Sequence, residues 1–170
     1  MLETRLPEPW LRGTLCEVPA VQRAVIHALE LAGEDLQRWC GSLSDEEINA
    51  SPGGLPPVAF HLRHIARSLD RLLTYAEGRV LSAEQLAAMK SELDSGAARD
   101  ALFSELNSAL TKSMTRVRAF DAEMFEQMRV VGRKQLPTTV AGLLVHVADH
   151  TQRHAGQAVT TAKIVLGKSL

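Results

Sequence analysis

The sequence predicts an all-α protein, a four-helix bundle with a short extra helix and an N-terminal arm. Two observations predict this fold class. Apolar residues recur three and four positions apart over four long segments, and loops rich in proline, glycine and polar residues separate those segments. Each amphipathic helix has to bury its apolar stripe, which four helices achieve around one shared core. The length of 170 residues suits one domain, so we expect a single domain over residues 1–170.

The chain opens with an arm, residues 1–17, that leads into the first long helix. The arm holds prolines and Trp10, and we expect it to lie over the domain with this tryptophan buried. The first helix is predicted from Val18 to a stop at Gly41 and Ser42. Its apolar stripe consists of Val18, Val21, Val25, Leu29, Ala32, Leu36 and Trp39.

A polar loop, "SDEEINASPGGLPP" (44–57), precedes the second long helix and contains one short predicted turn at "SDEE". The helix is predicted to begin near Pro57, because proline is tolerated in a first turn, and to end at Gly78. Its apolar stripe consists of Val58, Leu62, Ile65, Leu69, Leu72 and Ala76.

A short helix and a third long helix follow. Ser82 and Gln85 have the spacing of a capping box at the start of the short helix. Ser95 and Gly96 separate it from the long helix, which is predicted over residues 98–120.

The last helix is preceded by the least helical part of the chain. We expect β structure only at "RVVGRKQL" (129–136). The helix is predicted to open with Pro137 near its first turn and Thr138 or Thr139 as its cap, and to run to about Val165.

Composition narrows the class of protein. The formal net charge is −1 and charged residues make up 23% of the chain, so no basic surface for nucleic acid or anionic lipid is expected. No apolar run approaches the roughly 20 residues that cross a bilayer. The chain shows no export signal, and Cys16 and Cys40 form no CxxC pair. We therefore expect a cytoplasmic protein with reduced cysteines and without nucleic-acid or membrane partners.

Three of the six histidines lie four residues apart on the last helix: His146, His150 and His154. Residues four apart on a helix lie on one side, separated by about 6 Å of rise, so two such imidazoles can bind one ion. Residues eight apart are separated by about 12 Å. The spacing therefore predicts a pair made of His150 with either His146 or His154.

A third ligand has to come from another helix, and "AFHLRHIARS" on the second helix offers His61 and His64. The pattern places His61 nearer the apolar stripe and His64 on its flank, which favours His61. The alternative interpretation is a set of solvated or hydrogen-bonded histidines without a metal. His27 is expected to be a helix-surface residue.

Several catalytic motifs are absent from the sequence. It has no Glu-x-x-His of di-iron bundles, no H-E-x-x-H of metalloproteases and no G-x-S-x-G elbow. The glycines of "SPGGLPP" lack the lysine and the preceding strand of a phosphate-binding loop. Nucleotide hydrolysis is therefore not predicted.

Three stretches of the chain resemble the DinB-like family of DNA-damage-inducible, helical-bundle metalloproteins. They are "GSLSDEEINASPGG", "GGLPPVAFHLRHIARSLDRLL" and, about 80 residues later, "HVADHTQRHAGQ". The resemblance covers the chain from about Val18 to Val165 and leaves the arm outside. It implies a four-helix bundle that dimerises and binds a divalent ion, zinc or nickel, through three histidines.

The resemblance also selects among the histidines. It places the ligand pair on His150 and His154, because "HTQRHAGQ" matches the family's H-x-x-x-H followed by Gly-Gln, and it places the third ligand on His64. His61 and His146, one turn before the ligands, become candidates for groups that support them or line a pocket. Arg153 and Gln157 flank the pair and are candidates for orienting a substrate.

Three imidazoles leave an open position on a divalent ion, whereas structural zinc sites have four protein ligands. The resemblance implies a metal-dependent enzyme that uses a low-molecular-weight thiol as a transferase, or water as a hydrolase. A homodimer acting on a small-molecule substrate is expected. The alternative is a non-catalytic helical dimer with a structural or regulatory metal. We expect specificity to reside in bundle-end loops, with "FEQMRVVGRKQL" (125–136) at the pocket rim.

Overall fold

A computed structural model describes residues 6–167 of the chain. Within them, four long helices form the bundle: α1, α3, α5 and α6. Helix α1 packs against α5 and α6, and helix α3 packs against the same two helices. Helices α1 and α3 therefore lie opposite each other, and the four helices surround one core. The bounds are α1 Ala20–Cys40, α2 Asp45–Asn49, α3 Val58–Ala76, α4 Ala83–Lys90, α5 Arg99–Arg118 and α6 Val140–Val165.

Aliphatic side chains fill the core, as the periodic spacing predicts. Leu29 and Leu36 of α1, Leu62 and Ile65 of α3, and Leu144 of α6 are all inaccessible to solvent. Burial of each such side chain contributes about 1.5–3 kcal/mol. The all-α four-helix bundle with a short extra helix is therefore confirmed.

The helix ends follow local chemistry. In the predicted capping box of α4, the Ser82 hydroxyl accepts from the Gln85 N–H at 3.2 Å, and the Gln85 side chain accepts from the Ser82 N–H at 2.9 Å. Helix α3 ends at Ala76, and Gly78 (φ +76°) follows two residues later. The left-handed backbone of this glycine lets the N–H of Arg79 reach the carbonyl of Thr74 at 3.0 Å.

Two short strands form an antiparallel hairpin before α6: β1, Met128–Val131, and β2, Leu136–Thr139. The expectation of extended structure here is confirmed. The position expected for Pro137 is wrong, because this residue lies in β2 opposite Val130. The helix begins later, at Val140, and Thr139 caps it by accepting from the N–H of Gly142 at 3.1 Å.

The arm is described from residue 6 onward, so the part of the predicted arm over residues 1–5 lies outside the described residues. The expected burial of Trp10 is wrong, since 61% of this residue is exposed. The arm is attached instead through Arg12, which forms a bidentate ion pair with Glu34 of α1 at 2.7 Å. Thr14 also contacts Nε2 of His27 at 3.1 Å. His27 is only 7% exposed, so its expected surface position is wrong too.

The segment between α4 and α5, residues 91–98, lies against α2 and α3. The side chain of Asn49 donates to the carbonyl of Ala97 at 2.9 Å and accepts from the N–H of Gly96 at 3.1 Å. Arg63 of α3 donates to the carbonyl of Asp94. These hydrogen bonds fix an otherwise irregular segment over one face of α3.

Both cysteines are free: Cys16 is exposed and Cys40 is buried. Burial raises the pKa of the Cys40 thiol to about 12, so this thiol is protonated and unreactive at neutral pH. None of the helices within residues 6–167 combines the length and the apolar character that crossing a bilayer requires.

Candidate metal centre

A cluster of three histidines lies where α3 packs against α6. His64 comes from α3, and His150 and His154 come from adjacent turns of α6. One possible ligand atom from each residue lies within 4.8 Å of the other two. All three side chains are partly buried. The structure thus brings together the three residues that the family resemblance selected from the sequence.

The ring nitrogens have the separation that a shared ion requires. Nε2 of His64 lies 3.2 Å from Nε2 of His150. Two nitrogens each bound at 2.0–2.1 Å to one tetrahedral ion are about 3.3 Å apart. The ring of His154 lies 4.3 Å from that of His64 and 4.6 Å from that of His150, centroid to centroid. The donor set therefore fits a divalent metal ion.

The two candidate histidines of α3 have different positions. His61 is 2% exposed, so the pattern correctly placed it nearer the core. Its Nδ1 lies 3.1 Å from Nδ1 of His154, and it lies outside the three-histidine cluster. His64, on the flank of the stripe, meets α6 because a bundle helix packs against two neighbours. Proximity to the apolar stripe therefore did not identify the residue that joins the cluster.

The other candidate residues lie around the cluster on α6. The His146 side chain is 46% exposed, and its ring centroid lies 5.4 Å from that of His150. Arg153 is exposed and forms an ion pair with Asp149 at 2.5 Å. Gln157 is exposed as well. None of these side chains belongs to the three-histidine cluster, and their roles toward a substrate stay predictions.

Glu92, in the segment after α4, is a site residue that sequence reasoning missed. One carboxylate oxygen accepts from Nδ1 of His64 at 2.7 Å, and the other accepts from Arg71 at 2.6 Å. Burial alone would raise the pKa of Glu92, but the hydrogen bonds from His64 and Arg71 and the positive charge of Arg71 outweigh burial, so the pKa of Glu92 lies below its usual value. No motif or periodic spacing links Glu92 to the histidines, so only the folded chain reveals it.

In each of the three clustered histidines, Nδ1 contacts a polar side chain outside the cluster. An ionised carboxylate can only accept, so Nδ1 of His64 carries the proton that it donates to Glu92. In the neutral ring this tautomer leaves the lone pair on Nε2. Nδ1 of His150 lies 3.4 Å from the Ser68 hydroxyl. Nδ1 of His154 contacts His61. Contacts at Nδ1 leave the Nε2 atoms available to an ion.

The environment keeps the α6 histidines neutral. Burial, together with the charges of His154 and His64, lowers the pKa of His150 to about 4. Burial, together with the charges of His64 and Arg153, lowers the pKa of His154 to about 4. Both rings are therefore unprotonated at neutral pH, which is the state that binds a metal.

The hairpin lies away from the histidines. Arg129 of β1 donates to the carbonyl of Ala76 at 2.7 Å, and Ala76 is separated from His64 by about 18 Å of helix rise. The expectation that residues 125–136 form the rim of the site is therefore wrong. A cavity of about 400 Å³ beside the hairpin and one of about 810 Å³ between α3, α4 and α5 contain none of the three histidines.

The fold and the histidine cluster define a helical-bundle protein with a candidate metal site. The chain belongs to the DinB superfamily, whose family model matches residues 28–158. No curated protein matches the sequence.

The solved structures that are similar to this one include the following two. A conserved protein from Enterococcus faecalis is 20% identical, with a TM-score of 0.73, over 87% of this chain and 98% of that chain. YfiT from Bacillus subtilis is 15% identical, with a TM-score of 0.64, over 87% of this chain and 89% of that chain. YfiT is described as a probable metal-dependent hydrolase with an unusual four-helix bundle topology. At these identities the likeness establishes the fold alone.

Proposed function

We propose that this protein is a metal-dependent enzyme in which His64, His150 and His154 hold a divalent ion with an open coordination position. The observation that carries the proposal is the 3.2 Å separation of the His64 and His150 Nε2 atoms, contributed by two different helices. Zinc and nickel are the ions that the family resemblance implies; imidazole ligands suit both ions but also suit copper and iron.

The open position is the reason to propose catalysis. Three protein ligands are typical of catalytic zinc sites, and four are typical of structural ones. An ion held in this way supplies Lewis acidity to a water or a thiol. We propose a low-molecular-weight thiol transferase or a hydrolase, and the description of YfiT as a probable metal-dependent hydrolase supports the second chemistry.

The residues around the cluster have proposed roles as well. His61 supports His154 through the contact between their Nδ1 atoms. His146, Arg153 and Gln157 are exposed beside the pair, where they are available to a small-molecule substrate. We further propose that the protein is cytoplasmic and forms the homodimer that the family resemblance implies. We also propose that it has no nucleic-acid or membrane partners, in keeping with its near-zero net charge of −1.

A second candidate function is a non-catalytic helical dimer with a structural or regulatory metal. The observation that favours it is the position of the cluster, because the ion would join α3 to α6 and stabilise their packing. This alternative predicts that chelation lowers the melting temperature while the protein has no thiol-transfer or hydrolytic activity.

Elemental analysis of protein purified without a polyhistidine tag tests the proposal. We expect one divalent ion per chain in the wild type and its loss in His150→Ala. A screen with low-molecular-weight thiols and hydrolysable substrates then separates the enzyme from the structural alternative. Wild-type protein that binds no divalent metal, or metal binding that is unchanged in His150→Ala, would refute the metal site.

A further inference from the structure

We propose that Glu92 is a positioning residue for the metal centre: held by Arg71, its carboxylate fixes the tautomer and the orientation of the His64 ring. The inference rests on the proposed metal site. It adds a residue that holds His64, the ligand from α3, in the orientation that metal binding needs.

The position of Glu92 suits this role. The residue is 6% exposed and lies 28 positions from His64 in the chain. Its Oε2 accepts from Nδ1 of His64 at 2.7 Å, whereas Nε2 of the same ring points to His150. The carboxylate and the other histidines therefore contact opposite nitrogens of one imidazole. This arrangement makes Glu92 a hydrogen-bond partner of a ligand and excludes it as a fourth ligand at the same ion.

Arg71 completes the arrangement. Its Nη1 donates to Oε1 of Glu92 at 2.6 Å, and the two side chains are 11% and 8% exposed. A carboxylate held at one oxygen by an arginine has little freedom to rotate, so the other oxygen stays directed at His64. The ring also stacks on Phe60, with centroids 5.3 Å apart and planes 21° apart. Together these contacts fix both the plane of the ring and its rotation.

His64 depends on such support more than the other ligands do. His150 and His154 belong to one helix, whose backbone sets their spacing. His64 is the single member of the cluster on α3. A flipped ring, or a tautomer with its proton on Nε2, would remove one of the three ligands. Partners of this kind typically change metal affinity 10–100-fold when mutated.

The test measures Zn²⁺ affinity by chelator competition on the full-length, untagged protein. In Glu92→Gln we expect the Kd to rise by about 10–100-fold. Glu105→Gln is the matched control, because Glu105 also pairs with an arginine of α3, Arg67, at 2.8 Å and contacts no histidine. Its Kd should equal that of the wild type.

A double-mutant cycle separates positioning from general stabilisation. If Glu92 acts through His64, Glu92→Gln causes no further loss of affinity in a His64→Ala background. An equal loss in that background would overturn the inference. Nitrogen-15 NMR of the zinc-loaded wild type should show the His64 proton on Nδ1 and a shift of its resonance in Glu92→Gln; the Nε2 tautomer would also overturn it.

A second variant keeps the test decisive if Glu92→Gln does not fold. Glu92→Asp retains the charge but is one methylene shorter, so it cannot contact both Arg71 and His64, and its Kd should rise as well. Wild-type affinity in either folded variant would overturn the role of Glu92 while leaving the metal site intact. Wild-type protein without zinc binding would instead refute the proposed function.

Discussion

The Nδ1 atoms of His61 and His154 lie 3.1 Å apart across the interface of α3 and α6. At this distance one ring donates a hydrogen bond and the other accepts it, so at least one of the two nitrogens is unprotonated. If His154 binds an ion through Nε2, its Nδ1 carries the proton and His61 is the acceptor. In the metal-bound protein the pair therefore requires His61 to be neutral, and burial of His61 also penalises its charged form.

Acid should destabilise the metal-free protein. Burial, followed by the charges of His154 and His64, lowers the pKa of His61 from 6.5 to about 4. Between these values the unfolded chain binds a proton that the folded ring does not, so the free energy of unfolding decreases as the pH falls from about 6.5 to about 4. Thermal melts of chelated protein at about pH 7 and about pH 5 measure the effect.

His61→Gln provides the control for the pH experiment, because glutamine does not titrate. The variant should melt at a lower temperature than the wild type near pH 7, yet lose less stability on going to about pH 5. A melting temperature that depends on pH to the same extent in both proteins would contradict the assignment.

The choice of histidine pair on α6 can be tested directly. The spacing alone permits His146 with His150, but the structure groups His150 with His154. His154→Ala should therefore abolish stoichiometric metal binding, whereas His146→Ala should retain it. Equilibrium dialysis with Zn²⁺ measures both. The reverse result would assign the pair to the preceding turn.

Metal removal should lower thermal stability. The cluster joins α3 to α6, so an ion bound only to the folded chain contributes about 4 kcal/mol when its free concentration is about 1,000 times Kd. For a domain of this size the change corresponds to roughly 8–16 °C in Tm. Calorimetry with and without a chelator checks this, and the difference should be much smaller in His64→Ala, which keeps only two of the three ligands and binds the ion more weakly.

Replacing Gly78 and Gly156 by alanine should change the free energy of unfolding in opposite directions. Gly78 has φ +76° at the end of α3, where a side chain costs about 1–2 kcal/mol. Gly156 lies within α6, where an added Cβ would meet no atom within 4 Å beyond its chain neighbours and the nearby helix backbone. Alanine there should therefore stabilise the helix by about 0.5–1 kcal/mol. Urea unfolding of Gly78→Ala and Gly156→Ala measures both, and equal signs would contradict the backbone argument.

The sequence predicted the features that depend on local periodicity and capping. The stripe of α3, the capping box at Ser82 and the stop at Gly78 are all properties of neighbouring residues, and the structure has each of them. Pro137 was misplaced because proline suits a first helical turn and a strand of a two-stranded hairpin alike. Only the pairing with Val130 decides between the two.

The errors concern contacts between distant parts of the chain. His27 is buried, and Thr14 of the arm lies against it. The spacing of apolar residues on α1 contains no information about where the arm lies, so this burial could not be predicted. The grouping of His64 with His150 joins residues 86 positions apart. The family resemblance supplied that grouping, whereas the pattern of apolar residues favoured His61. Glu92 had no signal of either kind.

The hydrogen bonds of Asn49 connect helix α2, which contributes no ligand, to the segment that supports the metal centre. Asn49 holds Gly96 and Ala97, and the same short segment carries Glu92, which contacts His64. Selection for metal binding would therefore also constrain α2, although α2 contributes none of the three histidines. In a library of random variants sorted for loss of zinc binding, changes at half-buried Asn49 should be enriched, whereas changes at exposed positions of α2, such as Glu46, should not.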